Sequence, residues 1–373
     1  MSRPLHYLFA ATALGSMLPL AAHALDAKLY GTVNKAFMAY DDGHNTESTV
    51  VDNNNESTRI GFAGEQKLDN GFTASVLMEM QQNSNASNEI TQNTATGQSA
   101  TPVNTGASLT ERISRVGLSS DYGAIFLGDQ DVATDDAFTH DLAAASSVLN
   151  PNVAAFGGAL VFRTSSGAAV NLGGTDLTPD TFALGNDGNL DAANSIRFNS
   201  ATYNGFNASL STSQGGNIDA NLRYANKFGP FEVDSALGHK FINDGDTTTN
   251  DDTTGLTLAS VSLKHESGVA ATLAYEHQDL DHKSSGISAP EAFYGKVGYA
   301  WDSYGVAAEY GQFKNPVAVA TNQTMNVIGV GAEYDLGNGI TAGALYRNLS
   351  ADVSGISDID DINLFALSMR VKF

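Results

Sequence analysis

The sequence predicts an all-β protein: a closed antiparallel up-and-down barrel of sixteen strands that spans a membrane. Three observations carry this reading. The chain ends "FALSMRVKF", where Phe365, Leu367, Met369, Val371 and Phe373 alternate with Ala366, Ser368, Arg370 and Lys372 up to the last residue. A period of two means a strand with one apolar and one polar face. Gly, Asn, Asp, Ser and Thr cut the chain into short runs, and the breaks alternate between tight and long. The polar faces repeatedly carry arginine among small residues, so the apolar side suits lipid and the polar side suits water.

Residues 1–24 come first. Arg3, an apolar stretch from Tyr7 to Ala22 and the pattern Ala22-His23-Ala24 read as a cleaved signal peptide. The stretch is shorter than the roughly 20 residues that a membrane helix needs. The expected mature barrel is 25–373, exported beyond the inner membrane.

Strand candidates then begin near Lys28, Ser57, Phe72, Leu109, Ala124, Ser195, Phe206 and Ile218. The others begin near Phe231, Gly255, Val269, Glu291, Gly305, Thr324, Ile340 and Ile362. Tight connections such as KLDNG (67–71), YNG (203–205) and LGNG (336–339) hold residue types that supply positive φ in hairpin turns. The long connections are polar: 41–56, 83–108, 131–194, 243–254, 279–290, 315–323 and 351–361, with a shorter break at Gly215-Gly216-Asn217. In an outer membrane the tight turns face the periplasm. Closure leaves no strand edge unpaired, which lipid would penalise by several kcal/mol per group.

Alternation assigns faces. Arg59, Arg115, Arg197 and Arg223 lie inward between outward Ile60, Val116, Ile196, Leu222 and their partners. Thr32 and Asn34 fall inward; Leu29, Val33 and Lys35 fall outward, and an outward lysine suits a subunit interface or the membrane boundary. Aromatics gather near strand ends as two girdles: Tyr122, Trp301, Tyr304 and Tyr334 by tight turns, and Phe37, Tyr40, Phe293, Phe313 and Tyr346 toward long ones.

The chain has 41 acidic and 19 basic residues, a formal net charge of −22. No basic stripe exists to neutralise phosphates, which excludes nucleic acid as an expected partner. Cysteine is absent, so no disulfide is available. The chain has no G-x-S-x-G elbow, and Glu276–His282 (EHQDLDH) places two histidines too far apart along a strand end for one ion. No enzyme and no cofactor are expected. The acidic stretches 243–252 and 357–361 have the composition of weak divalent-cation sites, suited to bridging anionic lipopolysaccharide; 185–191 is similar but shorter.

Five pieces in order carry a family resemblance: Leu29-Tyr30-Gly31, STRIGFAGEQKLDNGF (57–72), SRVGLSSDYGAIFLGDQ (114–130), NSIRFNSATYNGFNASL (194–210) and the terminal Phe373. Together they resemble the general diffusion porins of the Gram-negative outer membrane, across nearly the whole mature chain. The resemblance implies a homotrimer of 16-stranded barrels in outer-membrane lipid, passing ions and small hydrophilic solutes. It also implies that Phe373 is read by the barrel-assembly machinery. The third long loop, 131–194, would fold into the lumen as a constriction, with loop acids facing an arginine cluster. Asp136 and Asp141 match the loop positions best, with Asp131 and Asp135 in the same segment. Arg59, Arg115 and Arg197 match the cluster, and Arg223 extends it.

Two departures stand out. Ala154-Ala155 occupies a stretch where relatives often carry a carboxylate, and 159–191 is an extra segment. A short helix is expected from Thr134 or Asp135, stopping before Pro151. Charge at the mouth suggests a weak cation preference. A substrate-specific channel, or an adhesin or receptor barrel, is the alternative.

Overall fold

The computed structural model describes residues 25–82, 84–92, 109–183, 192–243, 253–280, 287–317, 319 and 321–373. The expected signal peptide, segment 185–191 and most of the 243–252 stretch lie outside the described residues.

The strands in chain order are β1 (Asp26–Asp41), β2 (Thr46–Asp52), β3 (Arg59–Lys67), β4 (Thr73–Gln81), β5 (Thr110–Ser120) and β6 (Gly123–Asp131). A small hairpin follows, β7 (Asn171–Leu172) and β8 (Thr175–Asp176). Then come β9 (Ala192–Ser200), β10 (Phe206–Ser213), β11 (Ile218–Phe228), β12 (Phe231–Phe241) and β13 (Thr253–His265). The last are β14 (Val269–Leu280), β15 (Glu291–Trp301), β16 (Tyr304–Lys314), β17 (Gln323–Gly337), β18 (Ile340–Val353) and β19 (Ile362–Lys372). The one α-helix among the described residues, α1 (Pro179–Phe182), is a single turn.

Sequence neighbours pair antiparallel around the sheet, β6 pairs with β9 across the long connection, and β1 pairs with β19. The barrel is therefore closed. Strands β2 and β3 lie end to end along β1, β2 beside Lys35–Asp41 and β3 beside Asp26–Thr32. The 17-stranded sheet thus fills sixteen barrel positions.

The strands start within about three residues of the expected places because turn chemistry marks them. At the YNG turn both Asn204 (φ 50°) and Gly205 (φ 89°) take the left-handed conformation of a tight hairpin. One expectation is corrected. Residues 41–56 are not all loop, since β2 continues the wall upward beside β1. Its sequence, TESTVVD, shows no clean alternation, so period two could not reveal it.

Outward positions such as Leu29, Ile125, Val297 and Ile328 are exposed and apolar, as a lipid-facing surface requires. Near the tight-turn rim, Tyr299, Trp301, Tyr304 and Tyr334 stack in a row at centroid spacings of 5.4, 5.6 and 4.7 Å. Two girdle assignments are corrected. Tyr40 and Phe313 are buried on the inside, two residues from inward Met38 and Gly311 respectively. The Tyr40 hydroxyl donates to Glu47 at 2.6 Å.

The buried apolar cluster is inside the barrel. Met38, Leu345, Leu349 and Leu364 of the wall pack with Leu149, Phe156, Phe162 and Phe182 of the long connection between β6 and β9.

Candidate pore and its lining

The long connection is built onto the wall rather than left free. Its contacts follow the barrel roughly strand by strand. Ala133 N–H donates to Ser211 on β10 at 2.8 Å, and the Thr134 hydroxyl donates to Asp219 on β11 at 2.8 Å. Ser260 on β13 donates to the carbonyl of Ala137, and Leu142 N–H donates to Ser262. Asp141 accepts from Thr272 on β14 and from Lys296 on β15, both at 2.6 Å. Lys296 also donates to the Leu149 carbonyl at 2.8 Å. Glu333 on β17 holds Ser147, and Arg347 on β18 donates to the Val153 carbonyl at 2.6 Å while pairing with Glu309 at 2.7 Å. Each of these wall residues stands next to at least one exposed apolar residue, so the segment lies on the inward face.

Glycine makes room for it. A Cβ on Gly238, Gly298, Gly305, Gly331 or Gly343 would stand 2.6–3.0 Å from an atom of the segment 134–149. These inward glycines of β12, β15, β16, β17 and β18 form a bare track on which the segment rests.

In place of the expected helix stands one 3₁₀ turn, Asp135–Phe138, and a second, Val153–Ala155, follows Pro151. Thr134 cannot cap the first, because its hydroxyl is turned to Asp219. Past Pro151 the chain meets other inward segments. Gly157 N–H donates to the Ser87 carbonyl and Val161 N–H to Gln92. The extra segment ties to the mouth, where Arg163 pairs with Asp42 at 3.1 Å and Asp360 N–H reaches the Arg163 carbonyl.

An arginine wall lines the rest of the lumen, with Arg59 on β3, Arg115 on β5 and Arg197 on β9, while Arg223 on β11 stands within the covered side. Arg112 joins them, although it lies three residues from Arg115 and strict alternation would put it outside. A bulge in β5, between Glu111 and Ile113 opposite Glu79 and Met80, turns it in. Buried Glu79 accepts from Arg112 at 2.6 Å and from the Tyr30 hydroxyl at 2.6 Å, with Arg59 at 3.9 Å. Glu56, in the insertion between β2 and β3, meets Arg59 (3.3 Å), Arg370 (2.6 Å) and Lys372 (3.0 Å).

The four expected arginines differ in freedom. Arg115 donates to Gln130 at 3.2 Å, and its guanidinium lies 4.4 Å from the Phe126 ring centroid, where it keeps its charge. Arg197 donates to the carbonyls of Asp131 and Val132 at 3.0 Å each, clamping the start of the long connection. Arg223 pairs with Asp234 through bonds of 2.9 and 2.7 Å, and His140 sits 3.3 Å from the same carboxylate.

The acids also divide. Asp136 is exposed on the first 3₁₀ turn, with Asp135 beside it and Asp131 at the end of β6. Asp141 stands apart, buried against Lys296 and Thr272 of the far wall. Arg112, Glu79 and Glu56 escape the sequence reading, although Met78-Glu79-Met80 does carry an inward signal by alternation.

The geometry is that of a closed outer-membrane barrel with an inward segment facing an arginine wall. A family model for the Gram-negative porin matches residues 10–354. The chain belongs to the Gram-negative porin family. Solved structures agree on the fold. The anion-selective porin from Comamonas acidovorans superposes with a TM-score of 0.61 at 15% identity, covering 94% of this chain and 100% of that one. The outer membrane channel DcaP of Acinetobacter baumannii gives 0.60 at 12% identity, covering 95% and 99%. A loop-deletion mutant of OmpT, an outer membrane protein of Vibrio cholerae, gives 0.59 at 14% identity, covering 94% and 100%. Among curated proteins none matches. This porin is a diffusion channel of the outer membrane, and its fold and family are those of a channel rather than an enzyme.

Proposed function

We propose that residues 131–183 form the constriction of a trimeric general porin that passes ions and small hydrophilic solutes, with a weak cation preference at low salt. The observation that carries this is the course of the segment. It is fastened to the wall from β10 to β18, and Arg112 of β5 lines one cavity with Asp135 and Asp136 of its first turn. Charges of opposite sign across water make a transverse field, and rings of charge set ion preference. Arg223 and Asp234 neutralise one another, as do Lys296 and Asp141. The inner sets therefore nearly balance, and a net charge of −22 tips the mouth toward cations. Mouth charges are screened beyond about 8 Å at physiological salt, so the preference fades as salt rises.

The rest of the reading has support of its own. The trimer is supported by the trimer form described for OmpT of Vibrio cholerae and by Lys35, a charged residue on the outer face paired with Asp52. Residues 1–24 have the composition of a cleaved export signal, and Phe373 suits recognition by the assembly machinery. Acidic mouth residues 357–361 suit divalent bridging to lipopolysaccharide. The reading as a non-enzyme with no cofactor rests on the absence of a nucleophile motif from the sequence.

Reversal potentials in planar bilayers test the proposal. Asp136→Asn should move the preference toward anions and Arg115→Ala toward cations. If neither substitution moves it, the segment is not the constriction.

A further inference from the structure

We infer that the outer face of β16–β19 binds one glycolipid of the outer leaflet, with its acylated disaccharide on side-chain amides and an acyl chain in a groove below. The inference rests on the reading of lipopolysaccharide as a partner and places a contact on the wall rather than at the mouth.

The polar half of the site is one arrangement built twice. Gln312 on β16 lies opposite Asn326 on β17, and Asn348 on β18 lies opposite Asn363 on β19. A tyrosine stands two residues before the first amide of each pair, Tyr310 and Tyr346. The Asn326 side-chain carbonyl accepts from the Tyr310 hydroxyl at 3.1 Å and from Gln312 at 3.0 Å. That of Asn363 accepts from Tyr346 at 2.9 Å and from Asn348 at 3.1 Å. Both carbonyls are spent on the wall's own ladder, while the two Nδ2 groups find no acceptor among the described residues. These side chains share the parity of exposed Ile328 and Phe365, so they face the membrane. They stand toward the long-loop ends of their strands, the outer side of the membrane.

The apolar half begins directly beneath. A groove of about 690 Å³ opens on the same face, with Tyr346 and Phe365, two residues below Asn348 and Asn363, at its upper end. It runs across the strands to Val269, at the tight-turn end of β14. Neighbouring strands lie about 4.8 Å apart, so the steps from β14 to β19 give a length of about 24 Å. The small outward side chains of Ala308, Ala332 and Ala344 leave this depression between bulkier neighbours. It takes an extended acyl chain lying obliquely, with its headgroup end at the amides.

The polar chemistry selects the headgroup. Asn326 and Asn363 stand two strands apart, about 10 Å across the sheet, which suits a disaccharide and exceeds one glycerol. Carbonyls of an acylated sugar can accept from both amides, and sugar hydroxyls can donate to Asp361, which already accepts from Asn348 at 3.2 Å. No arginine or lysine takes part in either arrangement, and those are the side chains that match phosphate. The sugar, not its phosphates, is therefore what this face reads.

Native mass spectrometry of the purified barrel, in detergent with EDTA, tests this. Rough lipopolysaccharide should bind at one molecule per protomer, and equimolar phosphatidylethanolamine should leave it bound. The chelator removes divalent bridging at 357–361, so loss of all binding in EDTA would overturn this site and leave the bridging reading standing. Asn326→Leu with Asn363→Leu should weaken binding at least tenfold, as should Ala332→Phe, which fills the groove. Unchanged binding in either variant, or equal binding of phosphatidylethanolamine, would overturn the proposal. So would an Ala332→Phe barrel that loses its oligomeric state but keeps the lipid, since the face would then join copies of the chain. The substitutions point into the membrane and leave strand pairing intact. Should the amide variant fail to fold, Ala332→Phe decides alone.

Discussion

Gly31 and Phe373 close the barrel by exchanging two backbone hydrogen bonds of 3.0 Å, N–H of each to the carbonyl of the other. The Phe373 ring lies where Gly31 has no side chain; a Cβ there would come 2.6 Å from its Cζ. The strict alternation to the last residue follows from this. The terminal strand cannot fray, because its end pairs with the first strand in lipid, where each unmet backbone group costs several kcal/mol.

Deleting Phe373, or replacing Gly31 with Val, should lower the amount of heat-modifiable barrel more than it changes the conductance of the molecules that insert. Outer-membrane levels and single-channel recordings on the same preparations check this. Normal levels for both variants would disprove the closure argument.

The buried pair of Lys296 and Asp141 fastens the inward segment. Lys296→Met leaves a buried carboxylate without its charge partner, a loss of about 3–5 kcal/mol if the segment stays in place. The expected outcome is release of the segment, seen as a larger and noisier conductance and a lower dissociation temperature. The double variant Asp141→Leu with Lys296→Met should recover most of the stability. A silent Lys296→Met would show that the other fastenings suffice.

Gly331→Val places side-chain atoms where Leu149 and Val148 now rest, the Cβ alone standing 2.7 Å from the Leu149 side chain. Barrel yield should remain near normal while conductance rises, since the outer face and strand pairing are untouched. An unchanged conductance would mean that the segment can lift without opening the pore.

Arg112→Ala should shift ion preference toward cations more than Arg197→Ala does. The first exposes the Glu79 carboxylate along with removing a positive charge, whereas Arg197 mainly clamps the carbonyls of Asp131 and Val132. Arg197→Ala should instead show its effect as current noise. Equal reversal-potential shifts without added noise would reverse this assignment.

The strands were readable because lipid outside and water inside impose one alternation on each strand, and because turns need particular residues. Tyr40 was misplaced by counting distance to a strand end instead of parity; Ala36, Met38 and Tyr40 share one face. Arg112 was hidden by a bulge, which breaks parity without a sequence mark of its own. Asp141 and Lys296 could each be placed on a segment, but their pairing joins residues 155 positions apart. Nothing local encodes such a contact. The glycine track shared this fate, since Gly238, Gly298 and Gly331 resemble any other strand glycine until the segment is seen lying on them.

That track has a consequence for the order of folding. The seat for residues 134–149 is shared among β12, β15, β16, β17 and β18, so it exists only after those strands have zipped together. The segment leaves the wall at β6, near the start of the chain's hairpin series, and must wait for partners made much later. Its docking therefore belongs among the last events of assembly. A newly closed barrel is wide first and narrow afterwards, and permeability measured during assembly should pass through a transient maximum.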